Sequence, residues 1–246
     1  MARIITGWFE FNGRRSTEFG VRLLDSMSYV RPEWRGTSKT VSGRSGDIWL
    51  TEDPDSVVHN VVQIKRTCRC PLSRMEEVAV WLTGSGLLRF SWAENRAYEA
   101  RAQKESTFTQ VSIGADPLVE FDVTFVCQPY RLLYPAASAK TITASGTTIT
   151  NPGTAPSLPR VKITGSGNFS VTIGMETLWF LNVDGGGIIV DSEKMDAFTY
   201  DGALLANDKF EGEPFMIQPG NNVVSWTVES GSRVDSVEIL PRWRYL

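Results

Sequence analysis

His59 is the only histidine of the 246-residue sequence, so a Ser-His-Asp or Cys-His catalytic arrangement would have to use it. It lies within residues 57–61 (VVHNV), where valines flank it on both sides as in a β-strand. A hydrogen-bonded or solvent-exposed strand histidine is therefore the favoured interpretation. The sequence also has no P-loop, no dinucleotide-binding fingerprint and no HExxH motif. We predict no catalytic residues, no cofactor and no enzymatic activity.

Three cysteines, Cys68, Cys70 and Cys127, could in principle form a Cys₃His zinc site with His59. The first pair has the spacing C-x-C, whereas the usual zinc knuckle has C-x₂-C. We therefore interpret the cysteines as buried thiols that pack like small hydrophobic side chains, and we predict no metal site. Their odd number argues against a disulfide framework and indicates folding in a reducing compartment.

An acidic segment at residues 191–213 also has ligand chemistry, because hard cations such as Ca²⁺ bind carboxylates. Its two lysines accompany seven acids: Asp191, Glu193, Asp196, Asp201, Asp208, Glu211 and Glu213. The acids lack the ordered spacing of a calcium loop. We interpret the segment as a solvated acidic edge that keeps an outer domain in solution.

The charge distribution argues against a protein that binds nucleic acid through its phosphates. Residues 1–130 carry 16 basic and 16 acidic side chains, and residues 131–246 carry 9 basic and 12 acidic ones. Binding through phosphates needs a clear positive excess, which neither half has. With 41% hydrophobic and 22% charged residues, the composition is that of a globular protein. We find no apolar run long enough for a membrane segment and expect no signal peptide.

One amphipathic helix is predicted, over residues 72–84. Its apolar positions recur at the spacing i, i+3, i+4, i+7, namely Met75, Val78, Ala79 and Leu82. Ser73 and Glu76 have the spacing of a capping box, and Gly84 is suited to a left-handed stop. Since the remaining sequence has the pattern of short strands, this helix is expected to pack on a sheet.

The strand pattern predicts a mainly β protein: a β-sandwich with one α-helix, followed by a second β-sandwich or jelly-roll domain. Phe19, Val21 and Leu23 alternate as in a half-buried strand. Residues 165–168 (GSGN) resemble a hairpin turn between two strands. Further candidate strands are residues 4–11, 57–65, 87–92, 98–104, 108–113, 119–127, 161–164, 169–173, 177–183, 188–190, 197–200, 215–217, 223–228 and 234–240.

The amino-acid composition changes at residues 128–145, which are rich in Pro, Ala and Ser, and this change predicts a linker between two domains. We place an N-terminal β-sandwich-plus-helix domain at residues 1–134. Residues 135–150 form a linker and first strand region, and residues 151–246 form the C-terminal domain.

Residues 31–47 (RPEWRGTSKTVSGRSGD) are polar, basic and rich in turn formers. They offer little apolar surface to a core of their own subunit. This composition fits an exposed arm or long hairpin, and it fits a flexible surface loop equally well.

A series of short motifs, in order along nearly the whole chain, resembles the siphophage distal tail proteins. The series comprises residues 9–13 (FEFNG), 19–21 (FGV), 31–32 (RP), 43–47 (GRSGD), 123–130 (VTFVCQPY), 151–154 (NPGT), 159–161 (PRV), 219–222 (PGNN), 224–226 (VSW) and 241–244 (PRWR). Each motif alone is weakly specific, and the ordered series is much stronger.

The resemblance implies a structural role in the virion, at the tail tip, after assembly in the host cytoplasm. Members of this family form a hexameric ring that joins the tail tube to the baseplate or tail tip. Their N-terminal domains make the ring and their C-terminal domains serve as attachment points outside it. The implied partners are further copies of the chain, the tail tube protein and tail-tip or tail-associated proteins, with a receptor-binding protein as a further candidate. DNA would pass through the ring without specific binding.

The arm is the segment whose composition suits a contact between subunits, since Trp and Arg are the residue types that anchor interfaces. The alternative interpretation of its arginines is a solvated face. The predicted interface residues are Arg31, Trp34, Arg35, Gly43, Arg44, Gly46 and Asp47.

A stand-alone β-sandwich module that binds carbohydrate is the alternative function. Tryptophan placement separates the two hypotheses, because sugar binding needs exposed aromatic rings with polar neighbours. The patterns around four tryptophans indicate packed side chains: Trp8, Trp81, Trp92 and Trp226. The sequence leaves Trp179 and Trp243 open.

Overall fold

Alternation of buried and exposed side chains along paired strands builds the whole fold. The computed structural model describes residues 7–26, 28–50, 58–103, 106–184 and 186–246. In these ranges the chain is mainly β, with one α-helix, which confirms the predicted fold class. The chain divides into two units, residues 1–131 with Leu246 and residues 132–245. No helix in the described ranges is long and apolar enough to cross a membrane.

The first unit is built on a sheet of order β2-β1-β7-β8-β10-β6-β3, with β9 also pairing with β10. The strands are β1 (Phe9–Phe11), β2 (Arg14–Arg15), β3 (Arg22–Leu23), β4 (Thr37–Thr40), β5 (Asp47–Leu50), β6 (Val62–Pro71), β7 (Ser85–Phe90), β8 (Arg96–Ala102), β9 (Phe108–Gln110) and β10 (Leu118–Leu133). Strands β4 and β5 form a separate two-stranded sheet.

The helix α1 (Met75–Trp81) packs on this sheet through Trp81. The Trp81 indole stacks on Phe19 and Phe9, with ring centroids 4.4 and 5.2 Å apart, and its Nε1 donates to the Phe11 carbonyl at 3.0 Å. Val78 and Leu82 are also buried, as predicted. The prediction was wrong for Ala79, which is exposed, because Trp81 faces the core instead.

The ends of the helix also differ from the prediction. A 3₁₀ turn (Leu72–Arg74) precedes α1, so Arg74 is the N-cap and no side chain caps the helix. The Ser73–Glu76 capping box is therefore absent. The helix ends at Trp81, and Gly84, with a φ of 80°, takes its left-handed conformation beyond that end.

Several predicted strands change in extent. Residues expected as a strand around Phe19 form a 3₁₀ turn (Ser16–Phe19), because the Gly20 and Val21 amides bond back to it; only β3 follows as a strand. Strand β10 continues through residues 128–133, which were predicted to begin the linker. Parts of the predicted strands 4–11, 57–65 and 98–104, at residues 4–6, 57 and 104, lie outside the described residues.

A buried arginine fixes the segment that leads into the arm. Arg66 lies on β6, and its guanidinium donates to the Asp25 carboxylate at 3.2 Å, to the Ser28 hydroxyl at 3.0 Å and to the Ser28 carbonyl at 3.1 Å. Its side chain is 5% exposed. A buried cation is tolerated only when it is paired and hydrogen-bonded, and these contacts meet that condition.

The second unit is organised around one long strand, β13. Its strands are β11 (Lys140–Ile142), β12 (Thr147–Asn151), β13 (Arg160–Ile173), β14 (Glu176–Val183), β15 (Gly187–Asp191), β16 (Asp196–Thr199), β17 (Phe210–Glu211), β18 (Gly220–Val228), β19 (Arg233–Leu240) and β20 (Arg244–Tyr245). The first half of β13 pairs with β15 and β19, and its second half pairs with β14 and β18.

The predicted hairpin at residues 165–168 is wrong, because these residues continue β13. Register shifts occur next to Gly165 and Gly167, at the point where the strand changes partners. A Cβ atom at Gly165 would lie 2.4 Å from the Arg233 carbonyl oxygen, so the bulge requires glycine. The predicted strand at residues 215–217 is also absent: Phe215 and Ile217 are buried, but Ile217 forms only an isolated bridge.

The helix assignment predicts different costs for the same substitution two residues apart. Val78→Ala should lower the free energy of unfolding by about 2 kcal/mol, through lost burial and the cavity left behind. Val80→Ala is the matched control, because Val80 is 73% exposed; it should change that free energy by less than about 0.5 kcal/mol. Denaturant unfolding measures both, and equal losses would contradict the assigned face.

Arg66 allows a second matched pair on β6. Arg66→Met should cost about 2–3 kcal/mol, because it leaves the Asp25 carboxylate and the Ser28 carbonyl without their partner. Arg69→Met removes a half-exposed ion pair with Glu120 and should cost about 0–1 kcal/mol. Amide exchange at residues 28–30 should accelerate in Arg66→Met only. Unchanged exchange there would show that Arg66 does not hold this segment.

Candidate inter-subunit site

The arm, residues 31–47, forms most of an antiparallel hairpin. Strands β4 and β5 pair antiparallel, with Thr37 opposite Leu50 and Thr40 opposite Asp47. Every residue from Gly36 to Asp47 is exposed. A two-stranded hairpin is marginally stable in water by itself, so a hairpin with this much exposed surface favours a contact with another molecule.

The base of the arm is joined to residues 58–60. Trp34 forms an isolated β-bridge with His59, and the Arg35 amide donates to the Val58 carbonyl at 2.7 Å. The Arg35 Nε donates to the Asn60 side chain at 3.1 Å. The half-buried Trp34 ring lies over Gly36, where a Cβ atom would come within 1.8 Å of the indole. Residue 36 must therefore be glycine for this packing.

The far half of the arm is shaped by Asp47 and two glycines. The Asp47 carboxylate accepts hydrogen bonds from the Thr40 hydroxyl at 2.8 Å and the Ser38 hydroxyl at 3.4 Å. Gly43 and Gly46 have φ values of 82° and 76°, which favour glycine in the turn. These three predicted interface residues thus have a structural role inside the hairpin, whatever else they contact.

The arginines remain available for a partner. Within the described part of the chain, no ion pair or hydrogen bond occupies the side chain of Arg31 or Arg44. The arm carries four basic residues against two acids, Glu33 and Asp47. A basic, exposed hairpin is suited to an acidic or aromatic surface of another molecule. That this surface belongs to a neighbouring subunit stays a prediction.

The residues considered for catalysis or metal binding are held in other ways. The His59 Nδ1 lies 3.2 Å from the Tyr130 hydroxyl, and the two rings meet edge to face. Cys68, Cys70 and Cys127 are buried, and burial raises the pKa of Cys70 to about 11 and of Cys127 to about 12. Their thiols are therefore neutral at pH 7. No group of three or more His, Cys, Asp or Glu side chains in the described ranges could hold a metal ion.

The acidic segment is not uniformly a solvated edge. Asp191 is 3% exposed and accepts hydrogen bonds from both terminal nitrogens of Arg242, at 2.6 and 3.0 Å. Burial alone would raise the pKa of Asp191, but the Arg242 hydrogen bond and charge outweigh it and lower that pKa. The solvated interpretation was therefore wrong for Asp191, which sequence spacing could not pair with a residue 51 positions away.

The sequence did not decide whether Trp179 and Trp243 are packed, and the structure shows that they differ in solvent exposure. Trp243 is 7% exposed and belongs to the core of the second unit. Trp179 is 58% exposed, although it lies in the middle of β14. Its strand pattern contained the signal, since Leu178 and Phe180 on either side face the core.

Comparisons with known proteins support one fold. No protein-family model and no curated protein sequence matches the chain. Among solved structures, the crystal structure of the Dit protein of phage SPP1 aligns with a TM-score of 0.76 over 98% of this chain and 100% of that one, at 14% sequence identity. That protein is described as a paradigm of the hub adsorption apparatus in phages that infect Gram-positive bacteria. The chain thus has the fold of this siphophage distal tail protein over nearly its whole length, which confirms, at the level of the fold, the resemblance seen in the sequence motifs.

Proposed function

We propose that this chain is a structural virion protein that forms the hub ring at the distal end of a non-contractile phage tail. The ring, a hexamer, joins the tail tube to the baseplate or tail tip. The observation that carries this proposal is the arm hairpin, in which every residue from Gly36 to Asp47 is exposed. The fold shared with the Dit protein of phage SPP1 supports the same role.

In this proposal residues 1–134 make the ring and residues 151–246 provide an outer attachment domain after the linker region at 135–150. The arm of one copy contacts a different surface on the next, which is the heterologous contact that a closed ring requires. The balanced charge of residues 1–130 suits a ring through which DNA slides, because it avoids strong phosphate binding. The partners are the tail tube protein and tail-tip proteins, and no catalysis is involved.

A stand-alone carbohydrate-binding module accounts less well for the molecule. It does not explain the exposed basic hairpin, whose base is joined to residues 58–60 by three specific contacts. Of the two open tryptophans, Trp243 is buried and cannot stack on a sugar, whereas Trp179 is exposed.

Replacing residues 38–46 with a short Gly-Ser loop tests the ring. The replacement leaves the base of the arm intact, since Arg35 and Trp34 keep their contacts with residues 58–60. We expect the variant to keep its melting temperature and to change from a hexamer to a monomer or dimer. Light scattering measures the mass against six times the 27.4 kDa of one chain.

A charge reversal provides the matched control. Arg44→Glu should weaken the hexamer at unchanged fold, whereas Arg22→Glu, at another exposed arginine of the first unit, should leave it intact. A hexamer that persists without residues 38–46 would place the interface elsewhere. A full-length protein that stays monomeric at high concentration would contradict the hub proposal.

A further inference from the structure

An exposed aromatic ring lies in a transverse row of polar residues on the second unit. Trp179 on β14 is opposite Glu211 on β17 and Ser170 on β13, and Ser170 is in turn opposite Thr227 on β18. Directly opposed residues of a sheet point to the same face. Because Leu178 and Phe180 face the core, this row belongs to the outer face.

The polar groups of this face have capacity for new hydrogen bonds. In the described part of the chain, the exposed side chains of Thr227 and Glu211 form no hydrogen bond or ion pair, whereas Ser170 between them is buried. A second row, two residues along, consists of Thr177, Thr172 and Ser225. The Thr172 and Thr177 hydroxyls pair at 2.9 Å, which leaves Ser225 as a further unpartnered hydroxyl. The apolar Trp179 ring therefore lies next to hydroxyl groups and a carboxylate that can form hydrogen bonds.

This pattern matches the surface of a sugar, whose C–H face stacks on an aromatic ring while its hydroxyls donate and accept hydrogen bonds. Neighbouring strands lie about 4.8 Å apart, so the row of four residues spans about 14 Å. That length suits an oligosaccharide of a few rings lying across the strands.

The charge of the second unit narrows the ligand class. Residues 132–245 carry 12 acidic and 8 basic side chains, and Glu211 stands within the row itself. The net negative charge of this unit repels anionic glycans and phosphate-containing polymers. We propose that the outer face of the sheet formed by β17, β14, β13 and β18 binds a neutral oligosaccharide, with Trp179 as the stacking ring and the exposed side chains of Glu211 and Thr227 as its hydrogen-bonding partners. The proposal does not depend on ring formation.

Fluorine NMR of the full-length chain labelled with 5-fluorotryptophan tests this site. The Trp179 resonance is assigned from its loss in Trp179→Phe. Cellohexaose, maltohexaose and chitohexaose are the neutral probes, and an oligogalacturonate is the anionic one. We expect at least one neutral probe to shift the Trp179 resonance saturably below about 10 mM, and the anionic probe to leave it unchanged.

The variants separate stacking from hydrogen bonding. By calorimetry, Trp179→Ala should weaken binding of the active probe at least about tenfold, and Trp179→Phe should weaken it less, since a ring remains. Thr227→Val should weaken it about threefold to tenfold. Met195→Ala is the control, because Met195 is also exposed but lies on the turn between β15 and β16; it should bind as the unchanged protein does.

Three results would overturn the proposal. No shift of the Trp179 resonance with any neutral probe would show that this face does not bind such sugars. Equal or tighter binding of the oligogalacturonate would contradict the assigned ligand class. A Trp179 resonance that responds only to protein concentration would identify the face as a contact between protein subunits. None of these results bears on the mass of the assembly, which tests the hub proposal separately.

Discussion

The position of the arm depends on one buried charge. Arg66 holds both Asp25 and Ser28, only a few residues before the arm begins, and it does so from inside the first unit. Its side chain is 5% exposed, so the loss of a partner would leave a buried charge incompletely paired, which is costly. The segment before the arm is therefore fixed, while the contacts of Trp34 and Arg35 fix its base. The exposed hairpin is thus joined to the first unit at its base by the contacts of Trp34 and Arg35 with residues 58–60.

The same rule of strand alternation produces both proposed surfaces. In the first unit, β4 and β5 pair apart from the main sheet, and residues 36–47 are exposed. In the second unit, β14 belongs to a sheet with one face on the core, so alternate residues such as Trp179 must point outward. A large aromatic side chain in such a position loses the stabilisation of burial.

The sequence predicted the elements that local pattern controls. The mainly β class, the helix on the sheet and the burial of Val78 and Leu82 all follow from periodicity. It missed features that depend on distant residues. Trp81, and not Ala79, faces the core because Phe9 and Phe19 provide a stacking surface from elsewhere in the chain. Gly165 looked like a turn residue, but tight packing against the backbone of β19 makes it a bulge within one strand. The pairing of Arg66 with Asp25 left no local signal.

Amide hydrogen exchange of the arm, measured against protein concentration, tests the central claim most directly. An isolated two-stranded hairpin opens readily, so its amides exchange fast unless another molecule covers it. We predict that residues Thr37–Thr40 and Asp47–Leu50 exchange rapidly at dilution and become protected together as the hexamer forms, while β6 and β10 are protected throughout. An arm that exchanges equally fast in monomer and hexamer would contradict its role as the contact that closes the ring.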